Sequence, residues 1–162
     1  MATVVVALGS NIGRRKQHLS DAKQFLDGLS EDNVRASSIY ITEPVGPPTS
    51  DFYNAIAVIT TSLNPKALIK KFKDFEQQHG RESRHPKWSN RTIDLDIIAY
   101  NDLVIQTDSL IIPHPEYCKR LFVLMPLEEL FPQWADPKTR APIAQLISEA
   151  PDLRYKKTTM RW

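Results

Sequence analysis

The chain has 162 residues, 41% of them hydrophobic and 25% charged, which is the length and balance of one globular domain with a sizeable core. A formal net charge of +2 excludes the overall basic surface of a dedicated nucleic-acid binder, and the single cysteine, Cys118, excludes an internal disulfide framework. No window approaches the roughly 18 uninterrupted apolar residues of a membrane span, and the first residues lack a basic leader region, so the expected setting is cytoplasmic, with 1–162 as one domain and no membrane partner.

Val4 to Leu8 reads as a strand buried on both faces, followed by a turn at Gly9-Ser10-Asn11-Ile12-Gly13. Leu19, Ala22, Leu26 and Leu29 then recur at helical spacing and predict a helix closed by Gly28 and the polar run after it. Val34 to Thr42 is rich in β-branched and aromatic residues and reads as one strand. Glu43 to Asp51 carries three prolines and reads as a stiff loop. Asn54 to Ser62 is a third strand. Asn64-Pro65 supplies an N-cap and a first helical residue for a helix with Leu68, Phe72 and Phe75 inward, ending at Gly80. Arg81 to Asn90 is a basic loop, Arg91 to Tyr100 a fourth strand, and Asn101-Asp102 a hairpin turn into Leu103-Val104-Ile105. A helix from about Glu116 to Leu130 and a last short helix after Pro142 complete the chain. The order β-α-β-β-α-β predicts a ferredoxin-like α+β core, an antiparallel sheet with both helices on one face. The added C-terminal helices would cover the other face, giving three α-β-α layers.

The sharpest chemical feature is Asp94-Leu95-Asp96-Ile97. Alternation along a strand puts Asp94 and Asp96 on one face, their Cα atoms roughly 7 Å apart. Two carboxylates this close repel unless a cation lies between them, and hard divalent ions take carboxylate oxygens together with phosphates. The plainer alternative is an edge strand with two solvated aspartates, although Asp is depleted in strands. The run Arg81 to Arg91 has a net charge of +3 and leads directly into this pair. Arginine binds phosphate through two parallel hydrogen bonds, and Trp88 offers an aromatic face. His114, between Pro113 and Pro115, has a restricted backbone, and Arg120 follows on the next element. No Walker-type or dinucleotide-binding glycine loop is present, no Cys/His zinc spacing, and no RNA-recognition strand motif. The residues themselves point to a Mg²⁺-dependent enzyme acting on a polyphosphate. A non-catalytic nucleotide-binding module, an RNA-binding domain and a kinase for another small alcohol are the alternatives.

At these residues the chain resembles the 6-hydroxymethyl-7,8-dihydropterin pyrophosphokinases of folate biosynthesis. Arg91-Thr92-Ile93-Asp94-Leu95-Asp96-Ile97 is similar to the family's R-T-x-D-L-D-I signature, and Pro113-His114-Pro115 with Arg120 and Phe122 is similar to its second signature. Thr42-Glu43-Pro44-Val45-Gly46 with Phe52-Tyr53-Asn54 is similar to its pterin loop. The resemblance implies transfer of a pyrophosphoryl group from ATP to the pterin hydroxymethyl, leaving AMP. It implies two Mg²⁺ ions on Asp94 and Asp96, with Arg81 and Arg91 also catalytic. ATP would meet Glu76, Arg84, Trp88, Arg91, Ile97, His114 and Arg120. The pterin would lie between Phe52 and Phe122 and be read by Asn54, Thr42, Glu43, Val45 and Asp94. ATP and the pterin would be the partners of a monomeric catalytic domain, with no nucleic acid. The chain departs from the family pattern at Ser83, where a second arginine often stands, and at Ser89-Asn90 before Arg91.

Overall fold

The structure, a computed structural model, describes residues 1–44, 50–79 and 92–162. The expectations for Val45, Arg81, Arg84, Trp88 and Arg91 concern positions outside the described residues, as does the predicted helix end at Gly80. In chain order the elements are β1 (Ala2–Ser10), α1 (Arg15–Leu29), β2 (Arg35–Ala36), β3 (Tyr40–Thr42), β4 (Phe52–Thr61), α2 (Pro65–Gln78) and β5 (Asp94–Tyr100). They continue with β6 (Ile105–Gln106), β7 (Ile111–Ile112), a 3-10 turn at Tyr117–Lys119, α3 (Leu121–Leu130), α4 (Ile143–Glu149) and β8 (Tyr155–Lys157).

The main sheet runs β5-β1-β4-β3-β8, with β2 also paired to β4, and every pairing is antiparallel. This is the strand order that the β-α-β-β-α-β reading requires. Because side chains alternate across a strand, β1 feeds two cores. Val4, Val6 and Leu8 pack with Leu19, Leu26, Leu68 and Phe72 of α1 and α2. Val5 packs with Ile56, Val58, Leu124, Leu127 and Leu146 beneath α3 and α4. The result is the expected α-β-α sandwich. The Asn64 side chain accepts from the Ala67 N–H at 2.9 Å and Pro65 takes the first helical position, the predicted cap of α2.

Four predicted elements differ in detail. β1 extends through Gly9 and Ser10, which sit in the ladder and not in a turn. The strand predicted over Val34–Thr42 breaks into β2 and β3. Between them the Ser37 hydroxyl accepts the Ile56 N–H at 2.9 Å, so a side chain takes a place in the ladder that a backbone carbonyl would fill. Asn101 adopts φ 51° and exchanges bonds with Thr3, and the following segment pairs as β6 with β7 rather than folding back on β5. The helix predicted from Glu116 is a 3-10 turn and α3, separated by an extended Arg120.

Candidate active-site cleft

The sheet face beneath α3 carries the predicted polar residues on adjacent strands. Thr42 on β3 lies opposite Phe52 on β4, Asn54 opposite Gly9 on β1, and Gly9 opposite Asp94 on β5. Asp96 lies opposite Ala7. Two small residues, Ala7 and Gly9, therefore separate the Asn54 side from the aspartate side, and no bulky side chain fills the floor between them. A Cβ on Gly9 would stand 3.2 Å from Asn54 Oδ1 and 3.7 Å from Phe52 Cδ1. The bulge between Val5 and Val6 is absorbed on β5 around Ile98, while Leu95 and Ile97 face α1 and α2. The two aspartates are thereby left on the α3 side.

The cleft above this floor has a volume of about 720 Å³. Thr42, Phe52, Asn54, Asp94, Asp96, Arg120 and Phe122 all line it, with Glu43 and Pro44 at one side. Asn54 and Thr42 are buried, and the Asn54 amide donates to Thr42 Oγ1 at 2.7 Å, which fixes the amide plane before any ligand arrives. Phe52 lines the cleft and belongs to neither hydrophobic cluster among the described residues, so core packing does not explain it. Phe122 does both, lining the cleft and resting on the α3 core. The Arg120 guanidinium lies 5.7 Å from the centroid of the Phe122 ring, within cation–π range.

His114 stands beside the cleft, in electrostatic reach of Asp96 and Arg120. Its backbone N–H donates to Ile98 O at 2.9 Å, and its ring Nδ1 accepts the Glu116 N–H at 3.1 Å. An accepting Nδ1 leaves the proton of the neutral ring on Nε2. Burial holds the imidazole below its usual pKa; Asp96 opposes this, Arg120 adds to it and Glu116 opposes it.

Three predicted nucleotide contacts lie outside the cleft lining: His114, beside it, and Ile97 and Glu76 farther off. Ile97 is buried in the core toward α1 and α2. Glu76, on α2 and 5% exposed, accepts the Leu95 N–H of edge strand β5 at 2.8 Å. The sequence reading also missed lining residues. From the sequence Gly9 reads as part of a turn, and its separation from Asn54 and Asp94 along the chain conceals the cross-strand register that joins them. Lys119 and Pro151-Asp152-Leu153 carry no motif that would have found them.

Among the described lining residues, five are acidic (Glu43, Asp94, Asp96, Glu116, Asp152) and two are basic (Lys119, Arg120). That excess suits a divalent cation and not a bare anion. The donor set fits Mg²⁺: two carboxylates on one strand, with no cluster of three or more metal-ligating side chains among the described residues, so the remaining oxygens would come from phosphate and water, as is usual for this ion. No helix among the described residues is long and apolar enough to cross a membrane.

Comparisons with known proteins show which family the chain resembles. The family described as 7,8-dihydro-6-hydroxymethylpterin-pyrophosphokinase (HPPK) matches residues 5–132. The 2-amino-4-hydroxy-6-hydroxymethyldihydropteridine pyrophosphokinase of Synechocystis sp. is 40% identical over 146 residues, covering 90% of this chain and 74% of that one. Its namesake from Haemophilus influenzae is 36% identical over 159 residues, covering 97% and 98%. In the crystal structure of an HPPK-DHPS protein in complex with substrates the fold recurs with a TM-score of 0.70 at 15% identity, over 91% of this chain and 43% of that longer one. The Plasmodium falciparum HPPK-DHPS wild type with pterin and p-hydroxybenzoate gives 0.70 at 16% identity, over 91% and 41%. This chain thus spans less than half of those longer chains, and at that identity they bear on fold alone. The family match across the strands that build the cleft, with relatives aligned from end to end, means that the chain belongs to the 7,8-dihydro-6-hydroxymethylpterin-pyrophosphokinase family.

Proposed function

We propose that the chain transfers the pyrophosphoryl group of ATP to the hydroxymethyl oxygen of 6-hydroxymethyl-7,8-dihydropterin, giving the pterin diphosphate and AMP, a step of folate biosynthesis. The observation that carries the proposal is the single cleft in which an aromatic, amide-bearing end adjoins a carboxylate pair. A flat heterocycle with a donor/acceptor edge needs the first, and a magnesium polyphosphate needs the second.

The division of labour follows from the side chains. Phe52 and Phe122 take the two faces of the pterin, and the Asn54 amide, held by Thr42, reads its polar edge. Backbone groups at Glu43 and Val45 assist. Asp94 and Asp96 would hold two Mg²⁺, which would supply neutralisation of the phosphate charge. The alcohol oxygen forms a bond to the β-phosphorus as the bond from that phosphorus to the bridging oxygen of AMP breaks, and the hydroxyl proton is released to water. Little covalent help is required, and positioning with charge neutralisation supplies most of the acceleration. Arg120, and His114 through its Nε2 proton, face the phosphates. Arg81, Arg84, Arg91 and Trp88 would complete the nucleotide side, with Glu76 and Ile97 behind it. No protein nucleophile takes part. The chain works as one monomeric catalytic domain in the cytoplasm, with no nucleic-acid partner.

Asp96→Asn tests the carboxylate assignment. It removes one formal charge and keeps the shape, so AMP formation should fall by about 10²–10³-fold while the melting temperature stays within a few degrees of wild type. Two solvated aspartates on an edge strand would predict unchanged turnover.

A further inference from the structure

The family match ends at residue 132, yet Pro151, Asp152 and Leu153 line the cleft. They join α4 to β8, and both flanks are tied down. On the downstream side Tyr155 pairs with Thr42. The Glu43 N–H donates to Arg154 O at 3.3 Å, the Arg154 N–H donates to Glu43 Oε1 at 3.0 Å, and Arg154 Nε lies 3.6 Å from Glu43 Oε2. Farther on, the Thr158 N–H and hydroxyl both donate to Ile39 O, at 3.0 and 2.9 Å, and the Trp162 indole N–H donates to Ser37 O at 2.9 Å. On the upstream side α4 packs into the core under α3 through Ile143 and Leu146.

These bonds hold Arg154 against Glu43 and Tyr155 against Thr42, which puts the preceding residue, Leu153, at the end of the cleft lined by Thr42, Glu43, Pro44 and Phe52. Leu153 is half-buried and joins neither hydrophobic cluster among the described residues. An apolar side chain that lines a cavity and serves no core is available to a ligand. We infer that Leu153 is a specificity-determining residue for the heterocyclic substrate, an apolar rim supplied by the C-terminal strap against which the ring edge closes. This rests on the reading of the cleft's aromatic end as the pterin site. The strap's many anchors make the rim preformed, so its contact requires little ordering on binding.

The test compares wild type, Leu153→Ala and Leu153→Met. Binding of 6-hydroxymethyl-7,8-dihydropterin is followed by its fluorescence with Mg²⁺ and a non-hydrolysable ATP analogue present, alongside steady-state AMP formation and thermal melting. Leu153→Ala should weaken pterin binding roughly tenfold, the low end for methylenes lost from an apolar pocket. The KM for ATP and the melting temperature should not move, and Leu153→Met should restore near-wild-type binding. Unchanged pterin binding in Leu153→Ala overturns the inference, as does a joint loss of pterin affinity, ATP affinity and melting temperature. A wild type that binds no pterin overturns the cleft reading and this inference with it. A wild type that binds pterin but forms no AMP overturns the assigned reaction alone, and the binding comparison still decides the role of Leu153.

Discussion

Gly9 shows how one residue without a side chain can set the geometry of a site. It lies between Asn54 and Asp94 in the sheet, and a methyl group there would press on the Asn54 amide oxygen at 3.2 Å. Asn54 has little room to yield, because its amide nitrogen is bonded to the buried Thr42 hydroxyl. Gly9→Ala should therefore raise the KM for the pterin by about tenfold, equivalent to roughly one lost hydrogen bond, with the KM for ATP within twofold of wild type. Equal changes in both would mean that the substitution distorts the whole floor. Asn54→Ala should act on the same substrate. It removes the edge-reading amide and leaves Thr42 Oγ1 without its donor, a loss of about 1–3 kcal/mol in pterin binding measured by titration. Residue chemistry of this kind was legible in part from the sequence. The aspartate pair is a local pattern on one strand, whereas the Gly9–Asn54–Thr42 line runs across three strands and follows only from their register.

At the scale of elements, the junction of β2, β3 and α3 is held by one carboxylate. Glu129 accepts the Ser38 N–H at 2.8 Å on Oε2 and the Tyr40 hydroxyl at 2.9 Å on Oε1, and Lys157 of β8 stands 3.5 Å away. Burial pushes this carboxyl's pKa up, but the Ser38 N–H, the Tyr40 hydroxyl and the Lys157 charge outweigh it and leave the group below its ordinary 4.5. A depressed folded pKa contributes stability that is complete above the unfolded value and disappears as pH falls through the folded one. Glu129→Gln should cost about 1–3 kcal/mol at pH 7, and its gap to wild type in chemical denaturation should narrow as the pH is lowered from about 5 to 3. A gap independent of pH would show that packing, not charge, is what the substitution disturbs. The elements the sequence made plain are those with strong periodicity or a cap: β1, β4, α1 and α2. β8 escaped because all three residues of Tyr155-Lys156-Lys157 are on the exposed side, with no buried alternation to mark the strand, which is defined only by its pairing with β3. The break between β2 and β3 escaped because it depends on where one serine hydroxyl finds its partner.

Across the whole molecule, charge is sorted in a way that the total of +2 conceals. Among the charged residues that line the described cleft, carboxylates outnumber basic groups, while Arg81 to Arg91, with a net charge of +3, connects α2 to the strand bearing Asp94 and Asp96. A carboxylate-bearing floor joined through the chain to a cationic segment suits a metal–polyphosphate better than a free anion. The three layers serve this arrangement. One helical layer, α1 and α2, completes the core behind the sheet, and the other, α3 with α4, packs on the face that carries the cleft. The central claim is that the ring end and the carboxylate end work on one substrate pair and that transfer occurs at the β-phosphorus. Incubation with Mg²⁺, 6-hydroxymethyl-7,8-dihydropterin and ATP labelled at the β-phosphorus tests it most directly. The account predicts that the label moves to the pterin and that unlabelled AMP is the nucleotide product; label retained in ADP would contradict it.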